Sequence, residues 1–313
     1  MKLYFPLKHL TSAQILITGI AGIILLNGCR SPQETGSAAV ENFSFVAAGD
    51  MRSYITGAPV GKRYFDGLCE AAHEIGGGEF MLSPGDCDAP SAIRSAIDQF
   101  LGTNYLWYPV VGNHDVGSNA DMAWLRNWTS NGIPHLVRSG PGGSAVTYSF
   151  DFGNSHFVAV GEYEGRNPQK VGKADISDVM LDWLEEDLAA TRKPLIWVFG
   201  HNPIKSLPDM DTGRLRHATD SISTNAARSD RFVEILTRHK VRGYICGHTH
   251  NTSVAKVAGI WQADSGHARG AGDPGSPSTF LKFRITGRQA VVDVYRADPA
   301  GINYTLRETI ELD

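Results

Sequence analysis

Five short polar motifs, each placed directly after an apolar run, constrain the fold of this chain more than any other feature. In order they are Gly49-Asp50-Met51-Arg52, Gly85-Asp86-Cys87-Asp88, Gly112-Asn113-His114-Asp115, Gly200-His201-Asn202 and Gly247-His248-Thr249-His250. The preceding runs, such as Leu195–Phe199, have the length and composition of buried strands. Polar residues at the carboxyl ends of parallel strands meet in one crevice. The sequence therefore predicts an α/β fold that gathers these side chains.

The gathered side chains are carboxylates, an amide and imidazoles. Such oxygen and nitrogen donors suit a divalent transition metal, and a shared carboxylate suits two metals. A single His-x-His pair after a strand is a weak signal, because surface pairs of this kind are common. It is improbable that five such motifs, each at the end of a predicted strand, occur in one chain by chance. The sequence therefore predicts a metal centre.

On these residues the chain resembles the calcineurin-like metallophosphoesterases, which include the purple acid phosphatases and many nucleotide phosphodiesterases. Gly112-Asn113-His114-Asp115 and Gly247-His248-Thr249-His250 match the family pattern directly, and 148–157 resembles the family's mid-domain hairpin. The resemblance extends from residue 43 to about residue 283. It implies a four-layer αββα sandwich with two central mixed β-sheets.

The resemblance also implies roles for individual residues. Asp86 would bridge two metals, and these would be divalent or trivalent transition ions such as Mn, Fe or Zn. Asn113, His201 and His248 would complete one metal site, while Asp50 and His250 would serve the other. Asn113 and His114 would contact the substrate, and His114, held by Asp115, would act at the leaving group or the transferring phosphoryl oxygens.

The implied reaction is hydrolysis of a phosphomonoester or a phosphodiester. In-line attack on phosphorus needs a hydroxide nucleophile, positive charge for the equatorial oxygens, and a proton for the leaving oxygen. Two cations roughly 3.5–4 Å apart supply the first two needs, and an imidazole held by a carboxylate supplies the third. The alternative is an envelope protein that binds phosphate or metal on the same fold with impaired catalysis.

Arg52 departs from the family pattern, which usually has histidine two residues after the first aspartate. A guanidinium has no free lone pair, so Arg52 cannot replace a histidine ligand, and its charge repels a metal. The Asp50/His250 site should therefore be the weaker of the two. Two roles for Arg52 fit equally well: it holds a phosphate oxygen bidentately, or it pairs with Asp50 or an exposed carboxylate.

The second motif departs from the pattern as well. Ala89 stands where the family often has a polar side chain, which excludes the metal-binding tyrosine of purple acid phosphatases. Asp88 precedes it. Asp88 either orients a ligand or is a turn residue before Pro90, and the turn interpretation is favoured.

The first 28 residues have the pattern of an export signal. Lys2 and Lys8 flank its start, and the apolar segment 15–26 is too short for a transmembrane span. Leu26-Asn27-Gly28-Cys29 resembles a bacterial lipobox, so we expect Cys29 to be lipidated. Residues 29–42 would form a polar tether and 43–313 the catalytic domain. The expected location is the cell envelope, at the outer membrane if the cell is Gram-negative.

Composition limits the partners. The chain has 29 basic and 33 acidic residues and no basic run, so a nucleic-acid polymer is not expected. A phosphate ester and, through a lipid on Cys29, a membrane are the expected partners. Cys69 is predicted to lie on the buried face of a helix. Cys87 and Cys246 adjoin the motifs, and the sequence leaves open whether any two cysteines form a disulfide.

The remaining pattern predicts helices, a hairpin, C-terminal strands and two long loops. The helices are 62–75, 91–101, 121–128, 177–190 and 229–239; the hairpin is 146–163; the strands are 280–285, 290–295 and 304–310. The loops, 205–228 and 265–278, should contact substrate. Within them, His267 is taken as a surface residue in preference to a surrogate ligand. His156 is predicted to lie in the core or on a sheet face.

Overall fold

The computed structural model describes residues 42–52, 64–163 and 174–313. The predicted signal peptide, Cys29 and almost all of the tether lie outside these ranges, as does the side chain of Arg52. Within the described ranges, no helix has the length and apolar character needed to cross a membrane.

The described part of the chain alternates between strands and helices, with two further short 3-10 turns. In chain order the elements are β1 (Asn42–Ala47), β2 (Met51–Arg52), α1 (Phe65–Glu74), β3 (Phe80–Ser83), β4 (Cys87–Asp88), α2 (Pro90–Phe100), β5 (Leu106–Pro109), α3 (Asn113–Val116), α4 (Asn119–Ser130), β6 (Leu136–Gly140), β7 (Ser144–Phe152), β8 (Ser155–Ala159), α5 (Asp178–Ala190), β9 (Leu195–Phe199), α6 (Ala226–Arg238), β10 (Gly243–Cys246), β11 (Thr252–Val257), β12 (Ile260–Ser265), β13 (Thr279–Thr286), β14 (Gln289–Ala297) and β15 (Tyr304–Glu311).

Six strands form the first sheet, in the order β15-β14-β13-β1-β3-β5. β1, β3 and β5 are parallel and are joined through α1 and α2, as the alternating pattern predicted. β13, β14 and β15 pair antiparallel along the other edge of β1. The sheet is therefore mixed, and its parallel half ends at the first three motifs.

Seven strands form the second sheet, in the order β11-β12-β10-β9-β8-β7-β6. β8, β9, β10 and β12 run parallel, while β6, β7 and β11 pair antiparallel at the edges. The predicted hairpin is β7–β8, and its turn contains Gly153 at a φ of 55°, a conformation that glycine adopts without steric cost. The fourth and fifth motifs follow β9 and β10.

The two sheets pack face to face around an aromatic core. The rings of Phe45 and Phe283 stack with centroids 4.7 Å apart, and Phe45 also stacks on Phe80 at 5.1 Å. Strand alternation places Phe45 and Ala47 in this core, whereas Val46, between them, faces the helices. The period-2 pattern thus lets one strand serve two cores.

Helices cover the outer face of each sheet. α1, α2 and α4 pack on the first sheet through a cluster that includes Leu68, Ile97 and Leu125. α5 and α6 pack on the second through Leu184, Leu236 and their neighbours. The structure thus has the four-layer αββα arrangement with two central mixed sheets.

A buried ion-pair cluster joins the second sheet to α5. His156 on β8 is 1% exposed and lies between Asp151 and Asp187, with its ring nitrogens 2.7 and 2.9 Å from their carboxylate oxygens. Burial alone would lower the pKa of His156, but these two hydrogen bonds outweigh it and raise the pKa to about 9. The predicted core position is confirmed, and the histidine is charged at neutral pH.

The raised pKa predicts a pH-dependent contribution to stability. A folded-state pKa above the unfolded value means that the contribution is complete below about pH 6.5 and is lost as pH rises through about 9. We expect the difference in unfolding free energy between the wild type and His156→Gln to shrink across this range, by up to about 3 kcal/mol. Urea unfolding at several pH values measures it. A difference that stays constant from pH 6 to pH 9.5 contradicts the assignment.

Candidate metal centre

The five motifs lie at one edge of the sandwich, where both sheets end. Asp50, Asp86 and Asn113 follow β1, β3 and β5 of the first sheet, whereas the histidines follow β9 and β10 of the second. The oxygen donors and the imidazole donors therefore come from opposite sheets. The crevice between the sheet ends is the place where parallel α/β structures bind ligands.

Glycines in the motifs allow the carboxylates to approach the neighbouring backbone. A Cβ added to Gly112 would lie 2.2 Å from Asp86 Oδ1, and one added to Gly247 would lie 2.3 Å from Asp50 Oδ2. Any larger residue at either position would displace a carboxylate. The glycines are therefore part of the site geometry.

Four candidate ligands turn their donor atoms towards one another. Asn113 Oδ1 lies 3.0 Å from His201 Nε2 and 3.2 Å from His248 Nδ1. His201 Nε2 is 3.3 Å from His248 Nδ1 and 3.5 Å from Asp86 Oδ1. Asp86, His201 and His248 are buried, and Asn113 is half-buried. The structure thus brings together the set that the resemblance assigns to one metal.

The second candidate pair lies beside the first. Asp50 Oδ1 is 3.2 Å from His250 Nε2 and has no hydrogen-bond partner among the described residues, although it is buried. Its other oxygen accepts the backbone N–H of His248 at 2.6 Å. Asp50, Asp86 and His201 each offer a donor atom within 4.8 Å of the others. The four-residue set and the Asp50/His250 pair therefore form one compact cluster.

Each of the three histidines has an acceptor for its outward N–H. His201 Nδ1 lies 2.8 Å from the Pro84 carbonyl, His248 Nε2 lies 3.0 Å from Asp220 Oδ2, and His250 Nδ1 lies 2.7 Å from Asp273 Oδ2. When the outward nitrogen donates, the inward nitrogen presents its lone pair. With neutral imidazoles, three lone pairs and Asp50 Oδ1 then face each other with no positive charge between them. A cation fits this arrangement, so the residues present suit a metal centre.

The carboxylates around His201 favour positive charge at this residue. Burial alone would lower the pKa of His201, yet Asp86, Asp50 and Glu162 raise it to about 9. Burial alone would raise the pKa of Asp50, but His250 and other nearby histidines hold it below its usual range. The field that stabilises a proton on His201 would equally stabilise a metal ion.

Asp115 does not hold His114, contrary to our expectation. Its carboxylate is fully buried and accepts three backbone N–H groups, from Asp86 at 2.9 Å, Cys87 at 2.9 Å and Gly112 at 2.8 Å. Both oxygens are directed at the loops that carry the second and third motifs. Asp115 is therefore a positioning residue for the ligand loops, since a buried N–H without an acceptor is costly.

His114 instead lies at the mouth of the site beside two other carboxylates. Its side chain is 46% exposed, with Nε2 at 3.9 Å from Asp86 Oδ2 and Nδ1 at 3.8 Å from Asp88 Oδ2. Asp88 lies in β4 rather than in a turn, so the interpretation favoured from the sequence is wrong for this residue. The imidazole is placed where an incoming ligand can reach it.

The structure also corrects the prediction for His267 and answers the open question about the cysteines. His267 is fully buried, not on the surface; its Nε2 donates to the Ser276 carbonyl and its Nδ1 accepts from Arg269 N–H. Both ring nitrogens are therefore used, which also excludes it as a surrogate ligand in this conformation. Cys69, Cys87 and Cys246 are buried and free, so no disulfide joins the described cysteines.

The backbone of Arg52 is described although its side chain is not. Arg52 pairs in parallel register with Asp88 in the two-stranded β2–β4 ribbon. This places its Cα at the rim of the site, beside the strand that follows Asp86. The structure leaves both roles of Arg52 as predictions.

Sequence reasoning missed three carboxylates that support the ligands. Asp220 and Asp273 lie in long loops, and Glu162 follows β8; Glu162 Oε1 accepts the backbone N–H groups of His201 and Asn202. Burial raises the pKa of Glu162 to about 7, opposed by His201. None of the three belongs to a motif. Only the general expectation that the two long loops reach the site pointed towards Asp220 and Asp273.

A substitution of Asp115 distinguishes support of the ligand loops from participation in the reaction. Asp115→Ala would leave three buried N–H groups without an acceptor, at about 1–3 kcal/mol for each. We expect the variant to lose at least about 3 kcal/mol of unfolding free energy and to bind less metal, because Asp86 and Asn113 lose their support. Urea unfolding and metal analysis measure both. A variant with wild-type stability and metal content but low turnover would instead place Asp115 in the chemistry.

Comparison with known proteins gives a consistent family. Residues 38–252, about two thirds of the chain, match the family model of the calcineurin-like phosphoesterases. The chain is 24% identical over 269 residues to tartrate-resistant acid phosphatase type 5 of Sus scrofa, covering 76% of this chain and 72% of that protein. It is 26% identical over 254 residues to the Rattus norvegicus protein, covering 72% and 70%.

Solved structures share the fold at low identity. The structure of PhoD has a TM-score of 0.58 and 11% identity, over 88% of this chain and 71% of its own. The structure of GAP50, the anchor in the inner membrane complex of Plasmodium, has a TM-score of 0.54 and 14% identity, over 87% and 89%. These likenesses concern the fold alone. The family model, which matches well over half of the residues, shows that the chain belongs to the calcineurin-like phosphoesterases.

Proposed function

We propose that this chain hydrolyses phosphomonoesters or phosphodiesters at a dinuclear metal centre. Asp86 would bridge the metals; Asn113, His201 and His248 would complete one site, and Asp50 and His250 the other. The metals would be Mn, Fe or Zn. Membership of the family supports metal-dependent phosphoester hydrolysis, and the acid phosphatase relatives support a phosphatase.

One observation carries the proposal. Three histidines from the second sheet direct their inward nitrogens at carboxylate and amide oxygens from the first sheet, while the outward nitrogens lie against acceptors. Such an arrangement leaves lone pairs in contact unless a cation separates them. A bound metal pair would supply a hydroxide nucleophile and neutralise charge on the phosphoryl oxygens.

The chain's own residues account for the remaining needs of the reaction. His114 is exposed, and its Nε2 lies 3.9 Å from Asp86 Oδ2 while its Nδ1 lies 3.8 Å from Asp88 Oδ2. It can therefore give a proton to the leaving oxygen or contact a phosphoryl oxygen. Asp86, His201 and His248 are buried, so the exposed imidazole of His114 marks the side from which a substrate would approach.

A different class of function is a protein that binds phosphate or metal without turnover. The fold does not exclude it, since one structure that shares the fold is described as an anchor. The decisive experiment loads the full chain with Mn, Zn or Fe and assays p-nitrophenyl phosphate and bis-p-nitrophenyl phosphate, with metal analysis on the same samples. Hydrolysis of either ester supports the enzyme. Two bound metals with no turnover on either ester would refute the enzyme and support the binding protein.

We expect His114→Ala to lower kcat by roughly 10²–10⁴-fold, the usual range for a positioned acid or base. The metal content should remain that of the wild type, because the ring only borders the ligand set. Steady-state kinetics and metal analysis measure these quantities. The control is His73→Ala, which removes an exposed histidine near the end of α1 that belongs to none of the five motifs. Loss of metal in His114→Ala would make the residue a ligand.

Arg52 offers a separate test. If its guanidinium holds the substrate phosphate, Arg52→Ala should raise KM and weaken inhibition by inorganic phosphate, because a guanidinium binds an oxyanion well. If it only occupies a vacant ligand position, Arg52→His should tighten the second metal, because imidazole supplies the lone pair that arginine lacks. Inhibition kinetics and metal titration separate the two. If Arg52→Ala matches the wild type in both phosphate inhibition and metal binding, Arg52 is only a partner in a surface ion pair.

The proposed location rests on the sequence. The lipobox-like Leu26-Asn27-Gly28-Cys29 motif supports export and lipidation of Cys29, with attachment to the cell envelope and, in a Gram-negative cell, to the outer membrane. Incorporation of labelled fatty acid into the wild type but not into Cys29→Ser tests this. Label in both proteins would exclude Cys29 as the site.

A further inference from the structure

The long loop that follows β12 brings an aspartate to the weaker half of the proposed centre. Asp273 is 15% exposed at its side chain, and its Oδ2 lies 2.7 Å from His250 Nδ1. The opposite nitrogen of the same ring, Nε2, faces the unpaired Oδ1 of Asp50 at 3.2 Å. Asp273, His250 and Asp50 therefore form a line that passes through the imidazole.

Arg214, from the loop before α6, fixes both ends of the Asp273–His250 contact. Its Nη1 donates to Asp273 Oδ1 at 2.9 Å, and its Nη2 donates to the His250 carbonyl at 2.9 Å. Its Nε donates to Asn251 Oδ1 at 2.8 Å. Three donors of one guanidinium thus hold the carboxylate and the backbone of the histidine in one geometry.

His250 needs this support because its backbone is unfavourable. Its φ is 59°, in the left-handed region that costs a residue with a side chain of the order of 1 kcal/mol or more. Asp273 and Arg214 stabilise that conformation from outside the motif.

We propose that Asp273 is a positioning residue that selects the His250 tautomer with its lone pair on Nε2, and that it thereby creates the second metal position. The inference rests on the proposed metal centre. A carboxylate behind a ligating histidine fixes the ring and raises its basicity. Asp273 thus strengthens the position at which Arg52 contributes no ligand.

Two other cations lie near His250 Nδ1 and define the alternative. Arg216 Nη1 contacts Nδ1, and Arg269 Nη1 lies 3.5 Å from it. If Nδ1 accepted from Arg216, Nε2 would carry the proton and donate to Asp50, and no metal could bind there. The distances favour donation from Nδ1 to Asp273, because Nδ1 lies 2.7 Å from Asp273 Oδ2, whereas the guanidinium donors of Arg214 and Arg216 lie 3.5 Å from that oxygen.

Removing the Asp273 side chain should not release its loop. Asp209 anchors the same region separately: its carboxylate accepts from Arg296 Nη2 at 2.7 Å, from Ser276 Oγ at 2.6 Å and from Thr252 N–H at 2.9 Å. This buried ion pair ties together β11, β14 and both long loops. Asp273 can therefore be tested without dismantling the surrounding structure.

The experiment titrates Zn²⁺ into metal-free full-length protein by calorimetry. We expect Asp273→Ala to weaken the second equivalent by 10–100-fold, the usual effect of losing such a partner, and to leave the first equivalent within about threefold. Asp273→Asn keeps the shape and an acceptor oxygen but not the charge, so it should lie between Asp273→Ala and the wild type. Glu186→Ala, which removes an equal charge from an exposed pair with Arg138, should match the wild type.

A double-mutant cycle shows whether Asp273 acts through the histidine. In a His250→Ala background, Asp273→Ala should have no further effect on either equivalent. Equal weakening of both equivalents, or an undiminished effect without His250, would overturn the inference in favour of general loosening. A tenfold gain in affinity for the second equivalent in Arg216→Ala, with no loss in Asp273→Ala, would overturn it in favour of the alternative tautomer, because removing that donor would free the Nε2 lone pair. Failure of the dinuclear proposal would appear in the wild type itself, as uptake of fewer than two metals.

Discussion

The buried carboxylate of Asp115 is the interaction on which the site depends. By accepting the N–H groups of Asp86, Cys87 and Gly112, it joins the loop after β3 to the loop after β5. Those loops carry two of the three oxygen ligands of the proposed centre. A carboxylate with two oxygens and several lone pairs is the one side-chain group able to accept so many backbone donors in so small a space. The position of the proposed metal ligands thus depends on a residue outside the proposed ligand set.

Backbone strain is concentrated at the same edge of the sandwich. Asp50, Asp86, His248 and His250 all have positive φ, between 49° and 68°. Each departs from the conformation that its side chain prefers, and such strain persists only where surrounding contacts fix the chain. Hydrogen bonds to Asp50 Oδ2, the packing of the motif glycines and the outward acceptors of the histidines supply those contacts. Binding geometry, not local propensity, determines the backbone here.

The sequence predicted the fold well, because hydrophobic periodicity and strand-end motifs are local signals. The helices 91–101 and 177–190 correspond to α2 and α5 within one residue at each end, and the hairpin predicted over 146–163 corresponds to β7 and β8. The supporting carboxylates Asp220 and Asp273 could not be predicted, since they lie in loops and meet their histidines only through the tertiary fold. Asp115 was assigned to the wrong partner because adjacency in sequence says little about direction: successive residues at the start of α3 point to different sides. His267 was misplaced for a related reason, as its polar, glycine-rich surroundings suggested exposure, whereas the loop folds over it.

The division of donors between the sheets has a mechanical consequence. Oxygen ligands follow β1, β3 and β5 of one sheet, and imidazole ligands follow β9 and β10 of the other. A metal held by both kinds of donor would tie the two sheets together at their open edge, beyond the end of the aromatic core. The spacing of that edge would then be set by coordination distances, which tolerate only tenths of an ångström, instead of by side-chain packing alone. Metal binding would therefore be coupled to the spacing between the two sheets, and a change in one would change the other.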